Sequence, residues 1–210
     1  MTIRAVVFDI GGVIVTDGPD MAQVAATLGL DPRPEAVARV SEAVWGERDA
    51  YDLGMSDEEY WRRVAHRAGA RPPADAVVER LTASDVGRWG RPRADVVDLI
   101  RDLHACGLRI GVLSNAPVAL AAGFCAQEWT ALIEVRVFSC ATRAAKPAPA
   151  AYAPVIEAFD LPAGDIVFFD DRPGNVDAGH EVGLVAHLWD GADDARSFIA
   201  ALTGGGGQVG

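Results

Sequence analysis

Eleven residues near the amino terminus, Ala5-Val6-Val7-Phe8-Asp9-Ile10-Gly11-Gly12-Val13-Ile14-Val15, constrain the fold of this chain more than any other stretch. An apolar, β-branched run delivers a single carboxylate, Asp9, at its carboxyl end, and two glycines come just after it. A strand of this kind is buried on both faces, as in a parallel sheet covered by helices. Ligands of such sheets bind beyond the carboxyl ends of the strands, where Asp9 stands. A core strand that ends at a turn with a surface Asp is the plainer account of the run taken alone. The rest of the chain decides against it.

Five short apolar runs read as strands: Ala5–Asp9, Arg109–Ser114, Val135–Ser139, Ile166–Asp170 and Leu184–Leu188. Helical patterns separate the later ones. Val96, Ile100, Leu103 and Cys106 recur at helical spacing after Pro92, and Gly107 stops that helix. Between Pro149 and Asp160, the residues Tyr152, Val155, Ile156 and Phe159 fall on one face. Pro173 can open a helix at its first position and Gly183 can close it. Strands alternating with helices predict an α/β fold, a doubly wound and mostly parallel five-stranded sheet in a three-layer core.

The alternation breaks after the first strand. From about Thr16 to Trp89 there is no β-type run, and helical segments are expected near Met21–Leu28, Glu35–Trp45, Asp57–Ala68 and Ala74–Trp89. Ser56 followed by Glu59 has capping-box spacing. The expected organisation is a core of residues 1–15 and 90–203, an all-helical domain inserted at residues 16–89, and a flexible glycine-rich tail at 204–210.

The formal charge of -11 argues against a sequence-independent grip on nucleic acid or on an anionic membrane. It leaves room for a phosphorylated substrate, because a local metal ion or lysine can invert the field. Cys106, Cys125 and Cys140 are odd in number and lack CxxC spacing, so neither a disulfide framework nor a zinc site is expected. The short apolar start is broken by Asp9 and has no basic lead-in with a cleavage site, and no run approaches membrane-spanning length. The expected compartment is the cytoplasm. A homodimer is compatible with the sequence and not demanded by it.

Three further features sit at strand ends as Asp9 does. One strand ends in Ser114-Asn115, Lys146-Pro147 follows the third, and Ile166-Val167-Phe168-Phe169 ends in Asp170-Asp171. In a parallel sheet all four project from one edge. Carboxylates crowded there repel and need a cation, and an oxygen-rich set of two or three suits Mg²⁺. Asp9 would be nucleophile or ligand, Asp170 or Asp171 a ligand, and Lys146 a clamp for an anionic substrate. Ser114 and neighbouring amides would bind substrate oxygens. Such a constellation fits phosphoryl transfer through an aspartyl-phosphate.

The chain resembles the haloacid dehalogenase superfamily, in the phosphatase-like branch whose helical cap is inserted after the first strand. Four motifs carry the resemblance in order: FDIGGVIV, VLSNAP, Lys146-Pro147 and FFDDRPGNV. Each is weak alone; together, at strand ends, they are specific. The resemblance implies an Mg²⁺-dependent hydrolase of small phosphorylated metabolites. It makes Asp9 the nucleophile and a metal ligand, with the Gly11 carbonyl, Asp170 and Asp171 completing the metal set. Ser114 would hold the phosphoryl oxygens, Lys146 would neutralise them and restrain Asp9, and Asn115 would contribute nearby. Asn175 would tie down the loop.

The chain departs from the family at one position. Most phosphatases of the superfamily carry a second Asp two residues after the nucleophile, as general acid and base. Here that position is Gly11. General acid–base help is typically worth about 10²–10⁴-fold. Either the leaving group needs little protonation, as in a sugar 1-phosphate or acyl phosphate, or another group supplies the proton. Asp17 and His66 are the candidates, against plainer roles as a turn residue and a solvated helix residue.

Two other readings stay open. One is a metal-independent 2-haloacid dehalogenase, against which Gly11 and the Asp170-Asp171 pair argue. The other is an idle metal- or phosphate-binding protein, against which Asp9, Lys146 and Asp170 weigh together. In the inserted helices Trp45, Tyr51, Tyr60, Trp61 and Trp89 are expected mostly to pack helix on helix. Arg62 and Arg63 are expected to be solvated.

Overall fold

A computed structural model describes residues 2–16, 18–89 and 91–204. Five strands, β1 (Ala5–Phe8), β2 (Arg109–Ser114), β3 (Val135–Phe138), β4 (Ile166–Asp170) and β5 (Val185–Leu188), form one sheet in the order β3-β2-β1-β4-β5. Every neighbouring pair is parallel, as expected for strands joined by helices. The first strand of the chain therefore lies in the middle. It pairs from Ala5↔Arg109 to Phe8↔Val112 on one side and from Ala5↔Ile166 to Phe8↔Phe169 on the other.

Alternation along β1 explains why all four of its residues are buried. Val6 and Phe8 enter one apolar cluster, beside Ile110, Val112, Val167 and Phe169. Ala5 and Val7 enter a second one on the opposite face, with Leu113, Ile166 and Phe168. The first cluster is roofed by α6 (Ala94–Ala105), α7 (Val118–Cys125) and α11 (Ala192–Gly204), through Leu99, Leu120 and Ile199. The second is roofed by α9 (Ala153–Phe159) and α10 (Pro173–Glu181), through Val155, Phe159 and Val176. Helices on both faces make three layers. Each large side chain so enclosed contributes about 1.5–3 kcal/mol, which holds the central strand rigidly.

Between β1 and α6 the chain forms α1 (Met21–Thr27), α2 (Pro34–Gly46), α3 (Arg48–Asp52), α4 (Asp57–Ala68) and α5 (Asp75–Trp89). Their apolar faces form a third cluster, containing Val40, Val44, Tyr60, Val64 and Leu81. Tyr51 and Tyr60 stack with centroids 3.9 Å apart, and Trp61 Nε1 donates to Thr82 Oγ1 at 3.0 Å. As predicted, the Ser56 hydroxyl caps α4 by accepting from the Glu59 N–H at 3.2 Å. Trp45 departs from that expectation, at 50% exposure, and the Trp89 side chain lies outside the described residues.

Several predicted bounds shift. Asp9 lies one residue past β1, although its N–H still donates to the Phe169 carbonyl at 2.9 Å. Ser139 begins the short helix α8 (Ser139–Thr142) instead of ending β3, and Leu184 precedes β5. The predicted helix from Pro149 starts as a 3₁₀ turn at Pro149–Ala151, and α9 follows. Gly204 belongs to the last helix, and residues 205–210 of the predicted tail lie outside the described residues. No helix among the described residues is long and apolar enough to cross a membrane.

Candidate active site

The parallel register brings the ends of β1, β2 and β4 to one edge of the sheet. Asp9 follows β1, Ser114 closes β2 and Asp170 closes β4. The loop after β3 and α8 carries Lys146 to the same edge. Its Nζ stands 2.9 Å from Asp9 Oδ1 and 2.5 Å from Asp170 Oδ2, with the side chain almost fully buried. A buried cation between two carboxylates is tolerable only because both stay beside it.

Each member is fixed from behind. Asn115 Oδ1 accepts from the Lys146 N–H and its Nδ2 donates to the Lys146 carbonyl, both at 2.9 Å. Asp170 Oδ1 accepts from the Arg172 N–H and from Asn175 Nδ2, again at 2.9 Å. Tyr152 Oη donates to the Asn175 carbonyl at 2.8 Å, tying the start of α10 to the core. Asp170 is fully buried, and three contacts from three residues leave its carboxylate one orientation.

Asp9 differs. Among the described residues its buried Oδ1 meets only the Lys146 ammonium. Burial pushes the Asp9 carboxyl up, against the pull of Lys146 and with the push of Asp170. Burial likewise raises Asp171, helped by Asp170 beside it. Oxygens of Asp9, Asp170 and Asp171 lie within 4.8 Å of one another. Gly12, at φ +80°, makes room for this grouping: a Cβ there would sit 2.2 Å from Asp171 Oδ2.

Asp9, Gly11, Ser114, Asn115, Lys146 and Asp171 line one cavity of about 390 Å³, with Asp170 buried behind them. The structure thus assembles every predicted site residue. Of the two proton donors considered, Asp17 lies outside the described residues, and His66 is not brought to the cavity. His66 sits on the outer side of α4, in a separate surface groove with Glu59, Arg62 and Arg63. Those two arginines pair with Glu58 and Glu59 one helical turn away, in the solvated state expected of them.

The opposite wall of the cavity was not foreseen. Trp45, Arg48, Asp49, Asp52 and Asp85 face the strand ends from the inserted helices. Arg48 Nε donates to Asp52 Oδ1 at 2.7 Å, and its Nη1 stands 3.5 Å from Asp85 Oδ2. Burial outweighs the attraction of Arg48 and pushes the Asp52 carboxyl up to about 6. Ser139 joins the two walls: its Oγ donates to the Asp52 carbonyl at 2.6 Å and accepts from the Ala116 N–H at 3.0 Å.

Three carboxylates gathered at one sheet edge can hold a hard divalent cation, and Asp9 can also act as a nucleophile toward an anion drawn in by Lys146. Comparisons with known proteins agree with that chemistry in outline. The chain is 27% identical to phosphatase MT3486 of Mycobacterium tuberculosis, over 95% of this chain and 93% of the relative. The fold is similar to the crystal structure of the HAD family enzyme bt-2542 from Bacteroides thetaiotaomicron, with a TM-score of 0.72 and 17% identity. That alignment covers 94% of this chain and 99% of the other, and the same enzyme is also known in complex with magnesium and inorganic phosphate. L-2-haloacid dehalogenase from Xanthobacter autotrophicus shares the fold at a TM-score of 0.63 and 19% identity, over 95% and 83% of the two chains. A family model for haloacid dehalogenase-like hydrolases matches residues 3–183, and the chain belongs to that family.

Proposed function

We propose that this chain is an Mg²⁺-dependent phosphomonoester hydrolase that works through phosphorylation of Asp9. One observation carries the reading: Asp9, whose buried Oδ1 is paired with the Lys146 ammonium, lines one cavity together with Lys146, Ser114 and Asp171. The relative named as a phosphatase and the neighbour solved with magnesium and phosphate support it.

The residues present fit the metal. Asp9, Asp170 and Asp171, with the carbonyl of Gly11, would hold Mg²⁺, an all-oxygen set of the kind that ion selects. Bound there, the ion supplies charge neutralisation for the carboxylates and the phosphoryl group. Asp9 attacks phosphorus, the bond to the ester oxygen breaks, and the leaving alkoxide takes up a proton. Water then attacks the phosphoryl group, the bond to Asp9 Oδ breaks, and inorganic phosphate leaves. Lys146 neutralises the phosphoryl oxygens throughout, while Ser114 donates to one of them. Asn175 and the Arg172 N–H hold Asp170 in place.

Gly11 supplies no acid for the leaving group, so substrates whose alkoxide or acylate leaves readily suit the site best; small sugar phosphates fit its size. Residues 16–89 act as a cap over the core of residues 1–15 and 90–203, excluding water from the cavity. The separate apolar cluster of the inserted helices supports that division.

Phosphate release from sugar phosphates, acyl phosphates and p-nitrophenyl phosphate, with Mg²⁺ or with EDTA, tests the reading. Turnover should require the metal and fall by at least about 10³-fold in Asp9→Asn. Wild-type rates in Asp9→Asn, or EDTA-resistant turnover of a 2-haloacid in place of phosphate esters, would overturn it.

A further inference from the structure

The two walls of the cavity differ in charge. On the strand side Lys146 and Arg172 stand among Asp9, Asp171 and the buried Asp170, the set that would hold the metal, whereas the lining of the helical side has one cation, Arg48, among Asp49, Asp52 and Asp85. That cation is not available to a ligand. Its guanidinium is held by Asp52 and Asp85, and its side chain is only 12% exposed. Asp49 has no ion-pair partner among the described residues and stands exposed on the same wall. Trp45 adds a half-exposed indole.

We infer that this wall selects the leaving group: it accepts an uncharged, hydroxyl-bearing alcohol and rejects one that carries a second negative charge. The inference rests on the phosphatase reading and adds the half of the substrate that the reading leaves open. That the cavity is built for a ligand follows from the buried Asp9 and Lys146, a charged pair at 2.9 Å that lines it from the other wall. With the phosphoryl group held at Asp9 and Lys146, the remainder of a small ester must lie toward the helical wall. Carboxylates there accept hydrogen bonds from hydroxyl groups, and the indole covers the C–H face of the same molecule. A carboxylate or second phosphate at that place meets like charge, and the charge of the one guanidinium is already balanced by Asp52 and Asp85. Like-charge juxtaposition of this kind is a means of rejection rather than of affinity.

The test uses glycerol 3-phosphate and 3-phosphoglycerate, which match in size and differ by a hydroxymethyl group against a carboxylate. With the full-length wild-type protein and Mg²⁺ at pH 7.5, kcat/KM should favour glycerol 3-phosphate by about tenfold or more, the scale of one charge–charge contact in a partly wet cavity. Ki values against p-nitrophenyl phosphate hydrolysis supply the same ratio if turnover of either ester is slow. Asp49→Asn should narrow the ratio several-fold and Asp49→Lys should narrow it further; raising the salt from about 0.05 M to 0.5 M should act in the same direction. Asp49 is exposed, so both variants should fold. A wild-type ratio within threefold of unity, or a ratio that neither variant moves, would overturn the inference. If p-nitrophenyl phosphate itself is not hydrolysed, the phosphatase reading fails instead, and the two failures are told apart.

Discussion

The side-chain amide of Asn115 closes a two-point ring on the backbone of Lys146, accepting from its N–H and donating to its carbonyl, each at 2.9 Å. Asn115 follows the last residue of β2, so the rigid sheet sets where the Lys146 ammonium stands. Asn115→Ala should lower kcat by about 10- to 100-fold, because a displacement near 1 Å costs that much in a positioned site. Thermal unfolding should show a loss of only about 1–2 kcal/mol, the worth of two hydrogen bonds. A kcat unchanged in a folded Asn115→Ala protein would show that Lys146 is positioned by other contacts.

Gly11 has open space where a side chain would go: nothing lies within 4 Å of an ideal Cβ at that position. Gly11→Asp should therefore fold normally and place a carboxyl at the mouth of the cavity. Hydrolysis of alkyl phosphates should rise, by as much as about 10²-fold, with little change for p-nitrophenyl phosphate, whose leaving group needs no proton. Equal effects on both substrates would mean that the proton comes from elsewhere.

Gly12 is the opposite case. Gly12→Ala forces a Cβ into the Asp171 carboxylate and a non-glycine residue into the left-handed region, which costs about 1–2 kcal/mol. The concentration of Mg²⁺ needed for half-maximal activity should rise about 10- to 100-fold. An unaltered metal requirement would remove Asp171 from the proposed metal set.

Asp52 makes stability depend on pH. Its carboxyl titrates near 6 in the folded protein, above the ordinary value of 3.8, because burial disfavours the charged form more than Arg48 favours it. The folded state therefore holds the proton more tightly than the unfolded chain. Its contribution is present below about pH 4 and is lost as pH rises to about 6. Measured against Asp52→Asn, the wild-type protein should lose up to about 3 kcal/mol of relative stability between pH 4 and pH 7. Parallel urea midpoints for the two proteins across that range would contradict this.

The sheet edge was legible in the sequence because each of its chemical groups ends a local signal. Asp9 and Asp170 close β-branched or aromatic runs, Ser114 closes another, and Lys146 precedes a proline. The helical wall offered no such signal. Arg48 and Asp85 are 37 residues apart in the chain and meet only once the inserted helices have come together. At five residues, α3 is too short to display a period, and α7 (VALAAGFC) is apolar on all sides, which hides one. His66 illustrates the converse: its residue type suits proton transfer, but its helix face turns away from the strand ends.

The central place of β1 governs when the molecule can first react. It precedes the other four strands of the sheet along the chain, yet its neighbours begin at Arg109 and Ile166, so it waits unpaired while they are made. The five helices that come next share an apolar cluster of their own, and α5 packs as well on α7, which follows β2. In a nascent chain Asp9 therefore stays unplaced, and that carboxylate meets Lys146 and Asp170 only after β4 has emerged. A copy of this hydrolase cut short before Asp170 lacks the site it would need.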